Sequence, residues 1–336
     1  MQRYVTSMLQ CPDCQGTLSW TIDEEHEGRI EEATATCKGC GHTYPVHEGI
    51  GVFLPSDLMR HDMWEESDSA LLTYLAENPD IESELMNAPL QTLNPADQFY
   101  RATVLEERGQ YAEAEEMAIL AEESLYRPDY LKCRQTQRDY VVRNVMRGSE
   151  PMVDLACGKG YILEALARRT HRPLIAADFS VHILRRNQAR FRAMGIDRRI
   201  SYIAVDARRL PFKDRAVPIM CTYLGLANIE QPGDVLNELR RIVRRRFLAV
   251  QHFMPEDDQA NGAVIKQYGL DQIMYEARAI ESFKAAGWRI RMAEPAKCHA
   301  MPTPESILIE GGQIDGLPVA DTTYFWATIV ARPSSK

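Results

Sequence analysis

The sequence has no run of about 18 apolar residues, so no segment is suited to cross a membrane as a helix. Its first 14 residues contain one arginine and no apolar core of the kind that a signal peptide needs. Glycine and proline, at 19 and 18 of 336 residues, are too few for a collagen-like or wholly disordered chain. These absences predict a cytoplasmic protein without a membrane partner, and its length allows about two domains.

Basic residues are scarce in the first part of the chain. Residues 1–130 hold 7 Lys and Arg against 26 Asp and Glu, a net charge of −19, whereas residues 131–336 hold 32 against 22, a net charge of +10. The sum is the −9 of the whole chain. The basic part is expected to attract either an anionic ligand or the acidic part of its own chain.

Four of the eight cysteines form two C-x-x-C pairs, Cys11 with Cys14 and Cys37 with Cys40, separated by 22 residues. Two such pairs place four thiolates around one ion, which predicts a structural Zn²⁺ site with a filled coordination shell. His42 is a substitute ligand in the same segment. The alternatives are two disulfides, which the absence of a secretion signal disfavours, or a redox pair.

The residues around these pairs, with the stretches LQCPDCQGTL and CKGCGHTYPVHEGI, resemble the small zinc-ribbon family that includes activator subunits of some tRNA and protein methyltransferases. The resemblance covers about residues 7–55. It implies a module that stabilises, or binds, a protein partner.

The segment that follows is acidic and lacks a nucleotide-binding motif. Residues 61–130 hold 17 acidic and 3 basic side chains, with apolar residues at helical spacing. The pattern predicts several short helices that form either a solvated connector or a lid. A lid would require Tyr100, Tyr111 or Tyr126 to face a pocket.

An apolar strand, a glycine turn and a helix follow in PMVDLACGKGYILEALA, residues 151–167. Glycines let a backbone approach a ligand closely, and the next helix presents free N–H groups. A second strand ends in Asp178, 20 residues after Gly158, where an acid typically binds ribose hydroxyls. Position 163 is Leu, so the dinucleotide pattern G-x-G-x-x-G is missing and a mononucleoside ligand is favoured.

From about residue 131 onward the order of motifs resembles the class I S-adenosylmethionine-dependent methyltransferases. The resemblance implies a Rossmann-like, seven-stranded α/β domain over residues 131–336, preceded by a β zinc ribbon over 1–58 and an acidic helical connector or lid over 59–130. It also implies roles in binding S-adenosylmethionine. Gly158 and Gly160, with Ala156, pass under the methionine moiety, Asp154 holds its amino group, Asp178 with Phe179 binds the ribose, and Asp206 with Ala207 addresses the adenine.

Two features depart from the family. Pro218 stands near the usual start of the fourth strand, which predicts that the strand begins at or after it. Residues 293–322, before the last strand, are longer than the usual hairpin and predict a cover over the substrate pocket. A helix is expected over 270–287 and the sixth strand over 288–292.

The catalytic candidates follow the fourth and fifth strands. His252 is the preferred general base because its ordinary pKa is near neutrality, and Tyr223 is the second candidate; a structural loop histidine is the alternative for His252. Tyr161 is expected either to contact the cofactor or to cover the pocket.

These features predict a methyltransferase that acts on a small molecule. The first alternative is a methyltransferase of rRNA or tRNA bases, suggested by six arginines between Arg185 and Arg199. The second alternative is a non-catalytic module that binds the cofactor and a protein partner.

Overall fold

The computed structural model describes residues 1–59, 62–229 and 232–334. The helices and strands occur in four successive groups along the chain. The first group is β1 (Leu18–His26), β2 (Arg29–Cys37), β3 (Thr43–His47) and β4 (Ile50–Phe53). The second is α1 (Met63–Glu77), α2 (Pro79–Asn87), α3 (Pro95–Glu107), α4 (Tyr111–Leu125) and α5 (Pro128–Val145).

The third group alternates strands with helices. It comprises β5 (Met152–Leu155), α6 (Tyr161–Ala167), β6 (Leu174–Asp178), α7 (Val181–Ala193), β7 (Ile200–Val205), β8 (Val217–Tyr223), α8 (Pro232–Ile242) and β9 (Val243–Phe253). The last group is α9 (Gln259–Gln267), α10 (Asp271–Met274), α11 (Glu276–Ala285), β10 (Trp288–Ala300) and β11 (Thr322–Pro333).

In the described part of the chain, eleven strands form one sheet in the order β1-β2-β3-β4-β7-β6-β5-β8-β9-β11-β10. The strands from β7 to β9 in this order are parallel, and β11 is antiparallel to both of its neighbours. The seven strands after residue 150 confirm the predicted Rossmann-like α/β fold. Helices cover both faces of such a sheet, which explains why β5, β6 and β7 are buried along their whole length.

The zinc-ribbon segment is not set apart from this sheet. Its last strand, β4, pairs in parallel with β7, with Ile50 opposite Tyr202 and Phe53 opposite Val205. The apolar side chains of the ribbon therefore enter the same core as those of the α/β part, and Phe53 is fully buried there. The predicted domain bounds at 58 and 130 stay a prediction.

The structure corrects three expected elements. β8 begins at Val217, one residue before Pro218, and the pairing of β8 with β9 shifts register between Val217 and Ile219, because Pro218 cannot donate to the ladder. The helix expected over 270–287 is divided at Tyr275 into α10 and α11. The sixth strand, β10, continues to Ala300 because it pairs along nearly the whole of β11.

Candidate functional site

The glycine turn joins β5 to α6 by a tightly folded backbone. Gly158 and Gly160 have φ values of 47° and 72°, and Ala156 has a φ of 49°. A Cβ at Gly160 would lie 2.8 Å from Cζ of Phe191, so this position has room only for glycine. Asn187 of α7 holds the turn through a 2.6 Å hydrogen bond from its Nδ2 to the carbonyl of Gly158.

Asp178, at the end of β6, also contacts this turn. Its carboxylate accepts a 2.9 Å hydrogen bond from the N–H of Gly158 and a 3.2 Å bond from the N–H of Ser180. Burial raises the pKa of Asp178 to about 6. The neighbouring Asp154 is fully enclosed, and burial raises its pKa to about 8. Two carboxyl groups therefore lie at the carboxyl ends of adjacent parallel strands.

Asp206 follows the third parallel strand and is paired with a basic side chain. Nη2 of Arg208 lies 2.7 Å from its Oδ2, and the N–H of Arg208 donates to its Oδ1 at 2.9 Å. Arg208 also donates to the carbonyl of Met59, which follows the ribbon. The sequence motif did not indicate this arginine as part of the site.

A cavity of about 580 Å³ lies at the carboxyl edge of the sheet. Six predicted residues line it, namely Ala156, Asp178, Phe179, Asp206, Ala207 and His252. The other four predicted residues, Asp154, Gly158, Gly160 and Tyr223, do not line it. The cofactor and catalytic roles of all ten stay predictions.

His252 faces this cavity from the end of β9. Its ring stacks on Tyr324 with a centroid distance of 4.1 Å and lies 5.1 Å from Trp326. Burial lowers the pKa of His252 to about 4, so the ring is neutral near neutral pH. Its buried Nδ1 has no hydrogen-bond partner among the described residues. With this low pKa the ring is a weak base near neutral pH.

Tyr223, the second catalytic candidate, faces the helices instead. Its hydroxyl donates to the carbonyl of Arg134 in α5 at 3.3 Å, and its ring lies 6.2 Å from that of Tyr161. The hydroxyl of Tyr161 donates to Glu122 of α4, which also accepts two 2.8 Å bonds from Arg134. Tyr161 thus joins the glycine turn to the helices above it.

The acidic helices pack against the site rather than forming a free connector. In α3, Glu107 lies 3.0 Å from Arg186 of α7, and the ring of Phe99 lies 4.6 Å from Nζ of Lys159 in the glycine turn. Asp97 of α3 accepts hydrogen bonds from the backbone of Ile307 and Leu308. The helices and the segment before β11 are therefore fastened to each other.

The sequence did not indicate several residues that line the cavity, among them Tyr130, Asp315 and Leu317. Tyr130 precedes residue 131, the predicted start of the α/β domain, but it lies in α5, which begins at Pro128. Proline at the first helical position was the available signal for that start. Asp315 and Leu317 lie in a segment without a periodic pattern, so nothing in the sequence placed them.

The four predicted metal ligands come together at the ribbon. The Sγ atoms of Cys11, Cys14, Cys37 and Cys40 all lie within 4.8 Å of one another. Two of the distances, Cys11 to Cys40 at 3.6 Å and Cys14 to Cys37 at 3.4 Å, are near the roughly 3.8 Å expected between sulfurs around tetrahedral zinc. None of the four is in a disulfide, which overturns that alternative.

His42, the substitute ligand, pairs with Asp13 instead. The four thiols alone supply a complete shell, and their geometry fits a structural zinc ion.

Five of the six arginines considered for phosphate binding face partners within the chain. Arg186 pairs with Glu107, Arg190 with Glu164, Arg192 with Asp197 and Arg198 with Glu27, and Arg199 donates to the carbonyl of Ala167.

Among the described residues, no helix has both the length and the apolar character needed to span a bilayer.

Comparison with known proteins finds two families in one chain. Residues 152–246 match the family described as a methyltransferase domain, and residues 2–49 match the family of Trm112p-like proteins. These two stretches are similar to families of the two predicted types, which confirms both resemblances.

Two curated relatives are similar over part of the chain. A demethylmenaquinone methyltransferase of Mycolicibacterium paratuberculosis is 31% identical over 134 residues, which is 40% of this chain and 54% of that protein. A ubiquinone/menaquinone biosynthesis C-methyltransferase of Xylella fastidiosa is 25% identical over 113 residues, covering 33% and 45%. The chain thus spans about half the length of the curated relatives that it matches.

One solved structure, the YcgJ protein of Bacillus subtilis, aligns with 60% of this chain and 100% of its own at 14% identity and a TM-score of 0.47.

Proposed function

We propose that this protein transfers a methyl group from S-adenosylmethionine to a small molecule in the 580 Å³ cavity. One observation carries the proposal. Asp178 lines this cavity together with Asp206 and His252, and its carboxylate lies within hydrogen-bond distance of the glycine turn. A nucleoside site at these two carboxylates would share one space with a neutral imidazole.

The residues present fit the cofactor. The Asp178 carboxylate, which lines the cavity, would hold the ribose hydroxyls, and Asp206 with the Ala207 backbone would address the adenine. Ala156, at the start of the glycine turn, lines the cavity, and the backbone there would approach the methionine moiety. When bound, S-adenosylmethionine supplies an electrophilic methyl group on a sulfonium sulfur.

The rest of the cavity would hold the acceptor. Alignment of the acceptor with the methyl group is the main requirement of such a displacement, and rigid walls provide it. His252, which lines the cavity, would contact the acceptor through its neutral ring. The volume suits a compact molecule. The names of the curated relatives make demethylated quinones, such as demethylmenaquinone, the first acceptors to assay.

The ribbon would bind and stabilise the α/β part of its own chain rather than a separate protein. β4 pairs with β7 of the α/β part, and Arg209 of that part lies 2.8 Å from Asp57, near the end of the ribbon. We infer that zinc has a structural role here and takes no part in the transfer, because four thiolates leave no ligand position open.

Two measurements test the proposed function. Calorimetry should detect binding of S-adenosylhomocysteine to the purified protein. Tritiated-methyl S-adenosylmethionine should then label the metabolite fraction of a cell extract that is separated into metabolites, protein and RNA. Label in RNA would replace the small-molecule acceptor by the nucleic-acid alternative. Binding without label in any fraction would favour a non-catalytic module, and no binding would overturn the proposal.

A further inference from the structure

A second cavity of about 420 Å³ adjoins the first one. The two cavities share three lining residues, Tyr130, Asp315 and Leu317, so these side chains stand at the junction between them. Most of the remaining wall of the second cavity is apolar. It includes Leu125 at the end of α4 and Ala300, Met301, Pro302, Pro304 and Pro318 from the segment before β11.

Asp315 is the acidic group at this junction. One of its carboxylate oxygens accepts a 2.8 Å hydrogen bond from the hydroxyl of Tyr126, and its N–H donates to Thr303 at 3.3 Å. In the part of the chain that the structure describes, the other carboxylate oxygen accepts no hydrogen bond from protein. A carboxylate at the junction of two cavities therefore keeps an acceptor site for a ligand donor.

The groups around Asp315 are mostly neutral. Tyr126, Tyr130 and Tyr324 present phenol groups, and a nearby cation, Arg134, donates two hydrogen bonds to Glu122. Burial raises the pKa of Asp315 above its ordinary value. This environment suits a neutral hydroxyl, which can donate to the carboxyl without bringing a second charge into an enclosed site.

Aromatic rings form the wall beside this group. Tyr130 stacks on Tyr126 at 4.8 Å and meets Trp326 edge-on at 5.5 Å, and Trp326 in turn contacts the ring of His252. Ring faces of this kind pack well against a flat, apolar molecule. The wall continues from the first cavity to the second through Tyr130.

We infer that Asp315 recognises a hydroxyl group of the methyl acceptor and that the second cavity receives an apolar substituent of the same molecule. The inference rests on the proposed function, since it assigns the acceptor part of that site. It makes the segment before β11, rather than the cofactor motifs, responsible for acceptor selection.

Three probes separate the two parts of this assignment: 4-hexylphenol, 4-hexylanisole, which lacks the donor, and 4-methylphenol, which lacks the chain. Each is titrated by calorimetry into protein that has first been saturated with S-adenosylhomocysteine. We expect 4-hexylphenol to bind most tightly, and loss of its hydrogen bond to the carboxylate to weaken 4-hexylanisole about tenfold. 4-Methylphenol should also bind more weakly, because it leaves the second cavity unfilled.

Variants assign each preference to its cause. Asp315→Ala should abolish the preference for the phenol over the anisole, whereas Asp321→Ala, on an exposed side chain of the same segment, should keep it. Leu125→Trp should reduce the preference for the hexyl chain while the hydroxyl preference persists. Equal affinities of the wild-type protein for the phenol and the anisole, or a preference that survives in Asp315→Ala, would overturn the assignment. Binding of S-adenosylhomocysteine is measured before the probes are added. A failure of the cofactor site is therefore distinguished from a failure of the acceptor site.

Discussion

Asp178 has two roles in one side chain. It fastens the end of β6 to the glycine turn through the Gly158 N–H, and its carboxylate borders the cavity. In the proposed function, the oxygen atoms that hold the glycine turn would also meet the ribose. Its position 20 residues after Gly158 is what made it predictable from sequence.

We predict that Asp178→Ala weakens binding of S-adenosylhomocysteine by roughly 1–3 kcal/mol, the range for leaving buried polar groups without their partner. Calorimetry of the purified variant measures this change. Asp214→Ala is the matched control, because that carboxylate is exposed and pairs with Arg241 away from the cavity. An unchanged affinity in Asp178→Ala would contradict the ribose role.

Asp154 makes a prediction about pH. Its folded-state pKa of about 8 lies above the ordinary 3.8, so the folded protein binds the extra proton. The contribution of this proton to stability is fully present below about pH 4 and is lost as the pH rises through about 8. Asp154→Asn stays neutral and should therefore be more stable than wild type at the upper end of this window, by up to a few kcal/mol.

Urea unfolding of the ligand-free protein across that window measures the difference. For Asp214→Asn, at an exposed carboxyl, the difference in free energy of unfolding from wild type should not increase with pH. If the difference in free energy of unfolding between Asp154→Asn and wild type does not change with pH, Asp154 is ionised throughout the window.

Residues whose role depends on a strand end were predictable, whereas Asp315 and Tyr130 were not. A carboxylate after a parallel strand has a fixed place, because all such ends meet at one edge of the sheet. The position of Asp315 depends on contacts far away in sequence, such as the two backbone bonds that Asp97 accepts from Ile307 and Leu308.

At the scale of elements, the acidic helices are matched to the basic faces of the α/β part. Arg134 of α5 lies between Glu122 and the rings of Tyr126 and Tyr161, at 5.7 Å from each ring. The acidic composition of residues 59–130 is therefore used in specific pairs. Helical spacing in the sequence predicted the helices, but nothing in it identified their partners.

We predict that Glu122→Gln loosens α4, because it leaves the largely buried Arg134 without its counter-charge at a cost of roughly 2–4 kcal/mol. Hydrogen exchange in Tyr111–Leu125 should speed up. Glu123→Gln, on the exposed neighbour, should leave exchange unchanged. If both variants exchange alike, the ion pair does not hold the helix in place.

The corrections to the expected bounds of β8 and β10 both follow from the hydrogen-bonded pairing of strands. Pro218 was expected to delay β8, yet the strand includes it because a local register shift removes the need for its missing donor. β10 exceeds its expected length because β11 offers a partner up to Thr322. Strand ends depend on neighbours, which a single sequence does not show.

At the scale of the whole molecule, the ribbon and the α/β part share one sheet and one core. The charge imbalance between the two parts of the chain is satisfied internally at several places, including Arg186 with Glu107 and Arg209 with Asp57. The basic part was expected to attract either an anionic ligand or the acidic part of its own chain. These contacts illustrate the second expectation.

We predict about one zinc ion per chain and a loss of stability in the entire protein when it is removed. Cys37→Ser with Cys40→Ser should lower the unfolding midpoint by an amount equal to several kcal/mol, because metal binding contributes to folding energy. Metal analysis and thermal unfolding measure the two effects, with Lys38→Ala as a control between the ligands. Full zinc content in the double variant would contradict the assignment of the ligands.

The parallel pairing of β4 with β7 also sets an order of events at the ribosome. Ile50 leaves the exit tunnel long before Tyr202, its neighbour in the finished sheet, has been synthesised. During that interval the nascent ribbon presents an open strand edge, a surface that attracts foreign strands. The nascent chain would therefore bind its metal before β7 is available to cover the edge of β4. Slow translation between these two steps would prolong the period in which the chain can aggregate.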